Sequence, residues 1–314
     1  MTGASGEWAG VEIREARPDD YDEIAAFTQN TWPDREGGDY ISDIYHEWIE
    51  GEGKRTAVAV VDGEVAGLAQ TVLLSEWEAW NQGIRVNPEF RGRGVSVAIT
   101  EDLFEWAREE GATVARNMVF SWNVAGLGQS RSTGYDPATE FRWAHPEPDA
   151  NADAGAEFGG AVTADPSAAW RFWTDSEARD RLRGLALDPE ESWALSQLTL
   201  GDLRDAADDD GLFVVQNEGT KAFAHRIREY ERDSGGEDSA DETEQWVEYG
   251  VGAWEDAESA DALFAAVARD AASRGADRTR VLIPEHVRYV SDAALCRVEI
   301  SDEPDFVLAA DLTA

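Results

Sequence analysis

A short basic, glycine-rich segment between a strand and a helix constrains this 314-residue chain more than any other feature. Residues 84–94 read IRVNPEFRGRG, so an apolar strand is stopped by Asn87-Pro88, and a turn with two glycines and two arginines follows. Proline cannot donate to a sheet ladder and biases the residue before it away from helix. A helix is predicted directly after the turn, because apolar residues recur there with the spacing of one helical face: Val95, Ala98, Ile99, Leu103 and Trp106.

This succession of strand, turn and helix predicts a cradle for a phosphate or diphosphate group. The first N–H groups of a helix have no partner inside the helix, and the helix dipole adds positive potential at that end. Gly92 and Gly94 allow the backbone to approach a ligand closely, and Arg91 and Arg93 supply charge. The spacing excludes a P-loop, since no lysine with a following serine or threonine is present, and it lacks the third glycine of a dinucleotide fingerprint.

The segment resembles the acetyl-CoA motif of the GNAT superfamily of N-acetyltransferases. The pattern V-x-P-x-x-R-G-x-G runs from Val86 to Gly94, and the family's R-x-x-G-x-G/A falls on Arg91, Gly94 and Ser96. Serine departs from the glycine or alanine of the family, but it is small and can itself bind a phosphate. An ordinary glycine-rich connection is the alternative. The resemblance implies that acetyl-CoA binds at Ile84, Arg85, Val86, Arg91, Gly92, Arg93, Gly94, Val95, Ser96 and Asn123.

The order of the other predicted elements is also that of the GNAT fold. A strand at 11–16, two helices starting near 18 and 39, and a hairpin at 56–74 with the turn Asp62-Gly63 come before the strand 78–86. A further strand, 113–122, follows the helix after the cradle. The resemblance implies a strand before the cradle that is bulged and splays from the next one. We therefore expect an α/β (α+β) protein whose sheets are mixed, splayed at the centre and flanked by helices.

The second half repeats this pattern without the cradle. Strands predicted within 212–254, a helix at 262–271 and a strand at 281–283 follow in the same order, with an acidic loop at 233–244. In place of the basic turn, residues 254–261 read WEDAESAD, with four carboxylates and neither glycine nor arginine. We expect two GNAT-like domains and one cofactor site: a GNAT domain at 1–145 with the acetyl-CoA site, a linker at 146–168, and a degenerate GNAT-like domain at 169–314.

The catalytic residues are harder to predict than the cradle. Glu78 shares strand parity with Ile84 and is the candidate general base, with Glu76 as the second candidate and a solvated surface glutamate as the alternative. Ser130 stands where many family members carry the tyrosine that protonates the departing CoA thiolate. A serine hydroxyl is a much weaker acid than a phenol, so Ser130 as general acid competes with a water held by it and with unassisted departure of the thiolate. Nearby, Asn123, Gly134 and Tyr135 stand in register with the family pattern, and Gly126 replaces an alanine.

The charge balance indicates which partners and which salt environment suit this protein. The chain has 27 basic and 65 acidic residues, a formal net charge of −38, spread between well-formed apolar runs. Intracellular proteins of extreme halophiles have such compositions, because molar salt screens the repulsion among surface carboxylates. No basic face is available for nucleic acid. With no apolar run near ~20 residues and no leader, a cytoplasmic protein without membrane contact is expected. One cysteine and four scattered histidines favour no metal.

These observations predict an acetyl-CoA-dependent N-acetyltransferase that acts on a primary amine of a small molecule or peptide. A non-catalytic acyl-CoA-binding or regulatory module is the alternative, and transfer of a longer acyl group is a third reading. The partners are CoA and the amine, and a homodimer is left open. Four tryptophans could wall the acceptor pocket or fill the core: Trp77, Trp80, Trp122 and Trp143. The second domain is expected to form one wall of that pocket, through residues 170–173, or to pack for stability alone.

Overall fold

The computed structural model describes residues 10–29, 31, 39–153, 159–233 and 243–313. The chain divides into two compact units. Unit 1 consists of Met1–Val119, Asn123–Pro137 and Leu308–Ala314, and unit 2 consists of Phe120–Trp122 and Ala138–Val307. The C-terminal residues thus belong to the unit formed by the N-terminal half. The domain limits predicted at residues 145 and 169 stay a prediction.

The described residues form strands and helices in a mixed order, with runs of two or three consecutive strands between helices. The strands are β1 (Val11–Glu15), β2 (Lys54–Val61), β3 (Glu64–Leu73), β4 (Glu78–Val86), β5 (Val114–Phe120), β6 (Asp136–His145), β7 (Ala161–Thr163), β8 (Leu185–Leu187), β9 (Leu195–Gln197), β10 (Leu212–Gln216), β11 (Thr220–Asp233), β12 (Thr243–Trp254), β13 (Arg278–Pro284), β14 (Glu299–Ile300) and β15 (Asp305–Asp311). The α-helices are α1 (Tyr21–Thr28), α2 (Ile41–Trp48), α3 (Val95–Glu109), α4 (Val124–Ser132), α5 (Pro166–Thr174), α6 (Glu177–Arg181), α7 (Leu200–Asp208), α8 (Ala257–Ser273) and α9 (Val287–Leu295).

Unit 1 is a mixed sheet with helices on both faces. Its strands follow the order β1-β2-β3-β4-β5, antiparallel except for the parallel pair β4–β5. Alternate residues of β2 serve the two faces, because successive side chains of a strand point in opposite directions. Ala57 and Ala59 pack with residues of α3, whereas Val58 packs with residues of α1 and α2. The predicted hairpin turn is present, with positive φ at Asp62 (55°) and Gly63 (90°).

The expected wedge between β4 and β5 is confirmed. Their parallel ladder joins Glu78–Trp80 to Val114–Arg116 and goes no further in the part of the chain that the structure describes. On the other side of β4, Leu68 pairs with Arg85 but Gln70 pairs with Gln82, so β4 has one residue more than β3 in this stretch. This is a β-bulge, and it bends β4 away from β5 just before the cradle.

Unit 2 also has a parallel strand pair and a β-bulge on the strand before a helix. Its strands follow the order β6-β13-β12-β11-β10-β7, with β14 also paired to β6 and a separate pair β8–β9. The parallel pair is β12–β13, which joins Trp246–Tyr249 to Arg278–Val281. A bulge again lies on the strand before the helix, because Ala224 pairs with Gly252 and Arg226 with Tyr249. The mixed α/β class with GNAT-like order is therefore confirmed.

Two segments differ from the sequence-based expectation or lie outside the description. The predicted linker 146–168 includes strand β7, which pairs with β10, and the start of α5. Its alanine- and glycine-rich composition hid a strand of three residues, too short for periodicity to show. Of the predicted acidic loop 233–244, residues 234–242 lie outside the described residues.

Candidate active site

The cradle lies at the N-terminus of α3 in unit 1. Residues Pro88–Phe90 form a single 3-10 turn, in which the Asn87 side chain accepts a hydrogen bond from the Glu89 N–H at 3.1 Å. Gly94 is the N-cap of α3 with φ 81°, a left-handed conformation that favours glycine. Gly94 has no side chain to cap the helix, and no acidic residue lies in the first turn. The first N–H groups of α3 are thus left for an anion.

The arginines of the predicted site have different roles. Arg91 is exposed and forms no ion pair with another described residue, so its guanidinium is available to a ligand. The Arg93 guanidinium carbon lies 5.2 Å from the centre of the Phe90 ring. Its Nη1 is 3.7 Å from Asp62 Oδ2, and both side chains of this ion pair are exposed. The Arg85 side chain turns elsewhere: its Nε is 2.6 Å from Asp39, just before α2. Only the backbone of Arg85 can therefore contribute to the cradle.

The apolar residues of the predicted site pack into the core against which the start of α3 lies. Ile84 and Val86 pack against the core cluster that contains Val95, which is 2% exposed. Their side chains are therefore part of the α3 face of the sheet, and their backbone is what a ligand in the wedge could meet. Ser96 is half-buried in the first turn of α3, and its carbonyl accepts a hydrogen bond from Thr100 Oγ1 at 2.8 Å.

The equivalent helix start in unit 2 does not fit a phosphate. Asp256 caps α8, because its side chain accepts a hydrogen bond from the Ser259 N–H at 2.9 Å. Glu258 adds a second carboxylate to the first turn. Trp254, which is 1% exposed, donates from Nε1 to Asp292 of α9 at 2.9 Å. The Ser259 N–H of the first turn is thus satisfied within the chain, and the two carboxylates repel an anion.

Glu78 does not lie in the open part of the wedge. It sits where β4 still pairs with β5, is 2% exposed, and accepts a hydrogen bond from Arg116 Nη1 at 2.5 Å. Ser75 Oγ donates to its second oxygen at 3.2 Å. Both oxygens are engaged, so the geometry points to a structural ion pair. The second candidate, Glu76, is exposed in the turn before β4.

Ser130 is buried on α4 and forms a pair with β5. Its hydroxyl is a hydrogen-bond acceptor for Asn117 Nδ2 at 2.9 Å, and the residue is 1% exposed. Tyr135, the other hydroxyl of this region, is 2% exposed, and its Oη has no partner among the described residues. Burial raises the pKa of the Tyr135 phenol above its ordinary value. Asn117 was not singled out in the sequence, because nothing in its neighbourhood marks it.

Asn123 is the N-cap of α4, and its Oδ1 accepts a hydrogen bond from the Gly126 N–H at 2.9 Å. The Asn123 side chain also lies directly against Gly126. A Cβ added at Gly126 would be 2.6 Å from Asn123 Nδ2 and 3.1 Å from a methyl of Val119. In this chain a side chain at position 126 would therefore press against the Asn123 cap.

Gly126→Ala should consequently displace the cap. We expect Gly126→Ala to have a free energy of unfolding about 1 kcal/mol lower than that of Gly128→Ala, because both variants gain the helix propensity of alanine but only Gly126→Ala loses the N-cap hydrogen bond. Chemical denaturation measures it. Gly128→Ala is the matched control on the same helix, since a Cβ there meets nothing within 4 Å. Equal stability of the two variants would contradict this account of Gly126.

The tryptophans proposed for the acceptor pocket divide into buried and accessible ones. Trp80 is 2% and Trp143 5% exposed, so both are mainly core residues. Trp77 is 42% exposed, and Trp122 stacks on Phe120 with ring centres 5.3 Å apart. Within residues 170–173, Trp173 is fully buried, with its ring 5.9 Å from that of Phe223. It cannot contact an acceptor, so that part of the pocket-wall prediction is wrong for Trp173.

Unit 2 also contains an aromatic cluster that the sequence did not reveal. The Arg280 guanidinium lies 4.4 Å from the Trp143 ring and 4.3 Å from the Trp193 ring, and pairs with buried Glu248. Trp193 takes a positive φ of 65°, which is rare for a bulky residue. The cation–π contact of the Trp193 ring with Arg280, which is itself paired with Glu248, offsets this backbone strain. These rings already have their cation, which makes them a structural cluster.

A cavity of about 840 Å³ opens in unit 2, near the end of β12. Its lining includes Phe172, Trp254 and charged residues of α6 and α9. Arg288 and Glu177, which both line it, pair with each other at 2.9 Å. The cavity is large enough for a small ligand. Its charged lining carries both signs, with Arg171 and Arg288 beside Asp175 and Glu177, so it favours neither an anionic nor a cationic ligand.

The described residues contain neither a candidate membrane-spanning helix nor a candidate metal cluster. No helix there has both the length and the apolar composition needed to cross a membrane. No group of three or more histidine, cysteine, aspartate or glutamate side chains in residues 10–153 and 159–313, apart from 30, 32–38 and 234–242, could hold a metal ion.

Sequence comparison identifies the part of the chain that carries the cradle. Residues 17–127 match the family model described as Acetyltransferase (GNAT) family. The matched range runs from the turn before α1 into α4 and includes the wedge and the cradle. A comparison with curated proteins finds no match. The similarity to the GNAT acetyltransferase family therefore concerns residues 17–127.

Solved structures with the same fold extend over nearly the whole chain. A GCN5-related N-acetyltransferase from Sphaerobacter thermophilus is 13% identical, with a TM-score of 0.60 and coverage of 97% of this chain and 96% of that one. A glucosamine N-acetyltransferase region of a fungal multi-domain GH3 beta-N-acetylglucosaminidase is 14% identical (TM-score 0.57, 95% and 38% covered). A GCN5-related N-acetyltransferase from Anabaena variabilis is 11% identical (TM-score 0.50, 96% and 73% covered). At these identities the likeness concerns the fold alone.

Proposed function

We propose that this chain, which carries a GNAT domain at residues 17–127, transfers an acetyl group from acetyl-CoA to a primary amine of a small molecule or peptide. One observation carries the proposal: the uncapped N-terminus of α3 lies directly after the basic turn and the bulged end of β4. That arrangement combines an anion site with an opening between two parallel strands. A diphosphate joined to a long, narrow arm is the ligand shape that uses both.

The residues of unit 1 fit this co-substrate. We assign the diphosphate to the N–H groups of Val95 and Ser96 and to the guanidinium of Arg91, and the arm to the wedge between β4 and β5. Bound there, acetyl-CoA supplies an activated acyl group. The backbone N–H groups near Ile84, at the bulge, are the donors that would polarise the carbonyl oxygen, as oxyanion donors do in other acyl transfers. The uncapped helix and the absence of acids in its first turn support this assignment.

Only the first half is proposed to bind acetyl-CoA. The capped and acidic start of α8 supports one cofactor site per chain. We propose that residues 146–168, which include strand β7 and the start of α5, connect the first domain to a degenerate GNAT-like domain at residues 169–314. Their contribution to the acceptor pocket, and a homodimer, remain part of the proposal. The amine itself is not specified by any residue described above.

The second candidate function is a non-catalytic acyl-CoA-binding module, favoured by two observations. Ser130 is buried and hydrogen-bonded in the position of the family's acid, and Glu78 is engaged by Arg116. A thiol-release assay with a panel of amines, run at high salt because of the −38 net charge, separates the two functions. We expect release of CoA with at least one amine. Tight acetyl-CoA binding with no release above background would establish the binding module, and preference for extended acyl groups would indicate a longer-chain transferase.

Glu78→Gln tests the role of the candidate base. We expect loss of about 2 kcal/mol in the free energy of unfolding, because the buried Arg116 loses its counter-charge, and little change in kcat. Arg116→Gln alone should destabilise similarly, and the double variant should recover part of the loss, because it leaves no unpaired buried charge. A kcat lowered about a hundredfold with unchanged stability would instead assign Glu78 as the general base.

A further inference from the structure

The cavity in unit 2 is bounded by several elements of that unit. Its lining comes from the end of β7, from α5 and the start of α6, from the hairpin of β10 and β11, and from the end of β12 and the start of α9. All of these residues belong to unit 2, whereas the cradle belongs to unit 1. Its volume of about 840 Å³ lies within the range of small-molecule pockets. The cavity is therefore a candidate binding site separate from the proposed acetyl-CoA site.

Most of the charged groups in this cavity are engaged within the chain. Six charged residues line it: Asp165, Arg171, Asp175, Glu177, Glu255 and Arg288. Glu177 pairs with Arg288 at 2.9 Å and with Arg181 at 3.0 Å. Glu255 pairs with Lys221 at 2.7 Å, and Asp165 caps α5 by accepting hydrogen bonds from two of its N–H groups. One cation and one anion remain, Arg171 and Asp175.

These two residues lie on one face of α5, one helical turn apart. Ala168, Arg171, Phe172 and Asp175 all line the cavity, at the spacing of three and four residues that places side chains on the same face. Arg171 and Asp175 are exposed, and neither forms an ion pair with another described residue. Their order, with the base four residues before the acid, is the less favourable one for pairing on a helix. The free charges of the cavity are thus of opposite sign, with Cβ atoms about 5–6 Å apart.

We propose that this cavity binds a zwitterion of dipeptide length, with its carboxylate on Arg171 and its ammonium on Asp175. An arginine guanidinium matches a carboxylate with two parallel hydrogen bonds, and an aspartate accepts from an ammonium. Two residues of extended chain span about 7 Å, which agrees with charges one helical turn apart. A purely anionic or purely cationic ligand would use only one of the two residues. Unit 2 then has a binding role of its own in place of a cofactor site.

The rest of the lining suits the remainder of such a ligand. Phe172, on the same face of α5, offers an apolar surface to a side chain. In the hairpin of β10 and β11, Gln216 Nε2 donates a hydrogen bond to Thr220 Oγ1 at 3.0 Å. Gln216 Oε1 then remains as an acceptor and the Thr220 hydroxyl as a donor, which match the N–H and C=O of a peptide group.

Calorimetric titration of the full chain without acetyl-CoA tests this site with three ligands. Leucyl-leucine carries both charges, its C-terminal amide only the ammonium, and its N-acetyl derivative only the carboxylate. The salt concentration is the lowest that keeps the chain folded, because salt weakens exposed ion pairs. We expect the dipeptide to bind about tenfold more tightly than either derivative. Arg171→Gln should weaken the dipeptide about tenfold and leave the amide unchanged, whereas Asp175→Asn should weaken it equally and leave the acetylated form unchanged.

A matched pair of variants controls for charge alone. Arg204 and Asp208 are also exposed and four residues apart, on α7 of the same unit, but do not line the cavity. Arg204→Gln and Asp208→Asn should leave all three affinities unchanged. The proposal would be overturned if leucyl-leucine did not bind, or if its amide bound as tightly. It would also be overturned if Arg171→Gln and Asp175→Asn left the affinities unchanged, which would place the dipeptide at another site, such as the acceptor pocket of the proposed function. A failure of acetyl transfer would refute that function but not this site.

Discussion

Replacing Arg91 and Gly94 together by glutamate should abolish CoA binding while leaving the fold intact. The exposed Arg91 is the unpaired cation beside the start of α3, and its replacement puts an anion next to the ligand's diphosphate. Gly94 has φ 81°, and a side chain in that conformation costs about 1–2 kcal/mol. A second carboxylate would also stand at the positive end of the helix dipole. We expect the Kd of CoA to rise by at least a hundredfold, about 2.7 kcal/mol, in a calorimetric titration.

The control for this prediction is the charge reversal of an arginine elsewhere in unit 1. Arg17 is exposed in the turn before α1, and Arg17→Glu alters the net charge without touching the cradle. Its CoA affinity should stay within about twofold of the wild type at high salt, where long-range charge effects are screened. Retained CoA binding by the double variant would show that the diphosphate does not lie on α3. The thermal midpoint of each variant verifies that it is folded.

The cradle could be predicted from sequence because all of its parts are local. A strand, a proline stop, two glycines and a helical face lie within 28 consecutive residues, 84–111, and each has its own signal. The positive φ of Gly92 (76°) and Gly94 (81°) agrees with the choice of glycine at both positions. Local propensity and the fold agree here, and short-range reasoning succeeds in such places.

The roles of charged side chains could not be predicted, because they depend on partners far along the chain. Glu78 is held by Arg116, 38 residues later, and Arg85 by Asp39, 46 residues earlier. Strand parity gives the face on which such a residue lies but not the charge opposite it. Arg280 is a further case, since its ring contacts come from Trp143 and Trp193, both distant in sequence. The return of residues 308–314 to unit 1 is non-local in the same way.

Gly83→Ala should both destabilise unit 1 and disturb the wedge. Gly83 lies in the bulge of β4 with φ 62°, and a Cβ there would be 2.0 Å from Cη2 of Trp48 and 3.1 Å from Cδ1 of Ile41. Both neighbours are buried residues of the α2 core. The backbone conformation costs about 1–2 kcal/mol and the overpacking about 1–3 kcal/mol. We expect the free energy of unfolding to fall by roughly 2–5 kcal/mol in chemical denaturation.

A matched control separates the two causes. Gly53 also has a positive φ (72°), but a Cβ there meets nothing within 4 Å, so Gly53→Ala should lose only the conformational part. Trp48→Phe shortens the ring that meets Gly83, and in the Gly83→Ala background it should restore part of the lost stability, a non-additive coupling of neighbours. Equal losses in Gly83→Ala and Gly53→Ala would show that β4 and Trp48 move apart freely.

Because the bulge places the backbone N–H groups proposed to polarise the carbonyl, a shift of about 1 Å should also lower acetyl transfer about a hundredfold. Gly53→Ala should leave transfer unchanged.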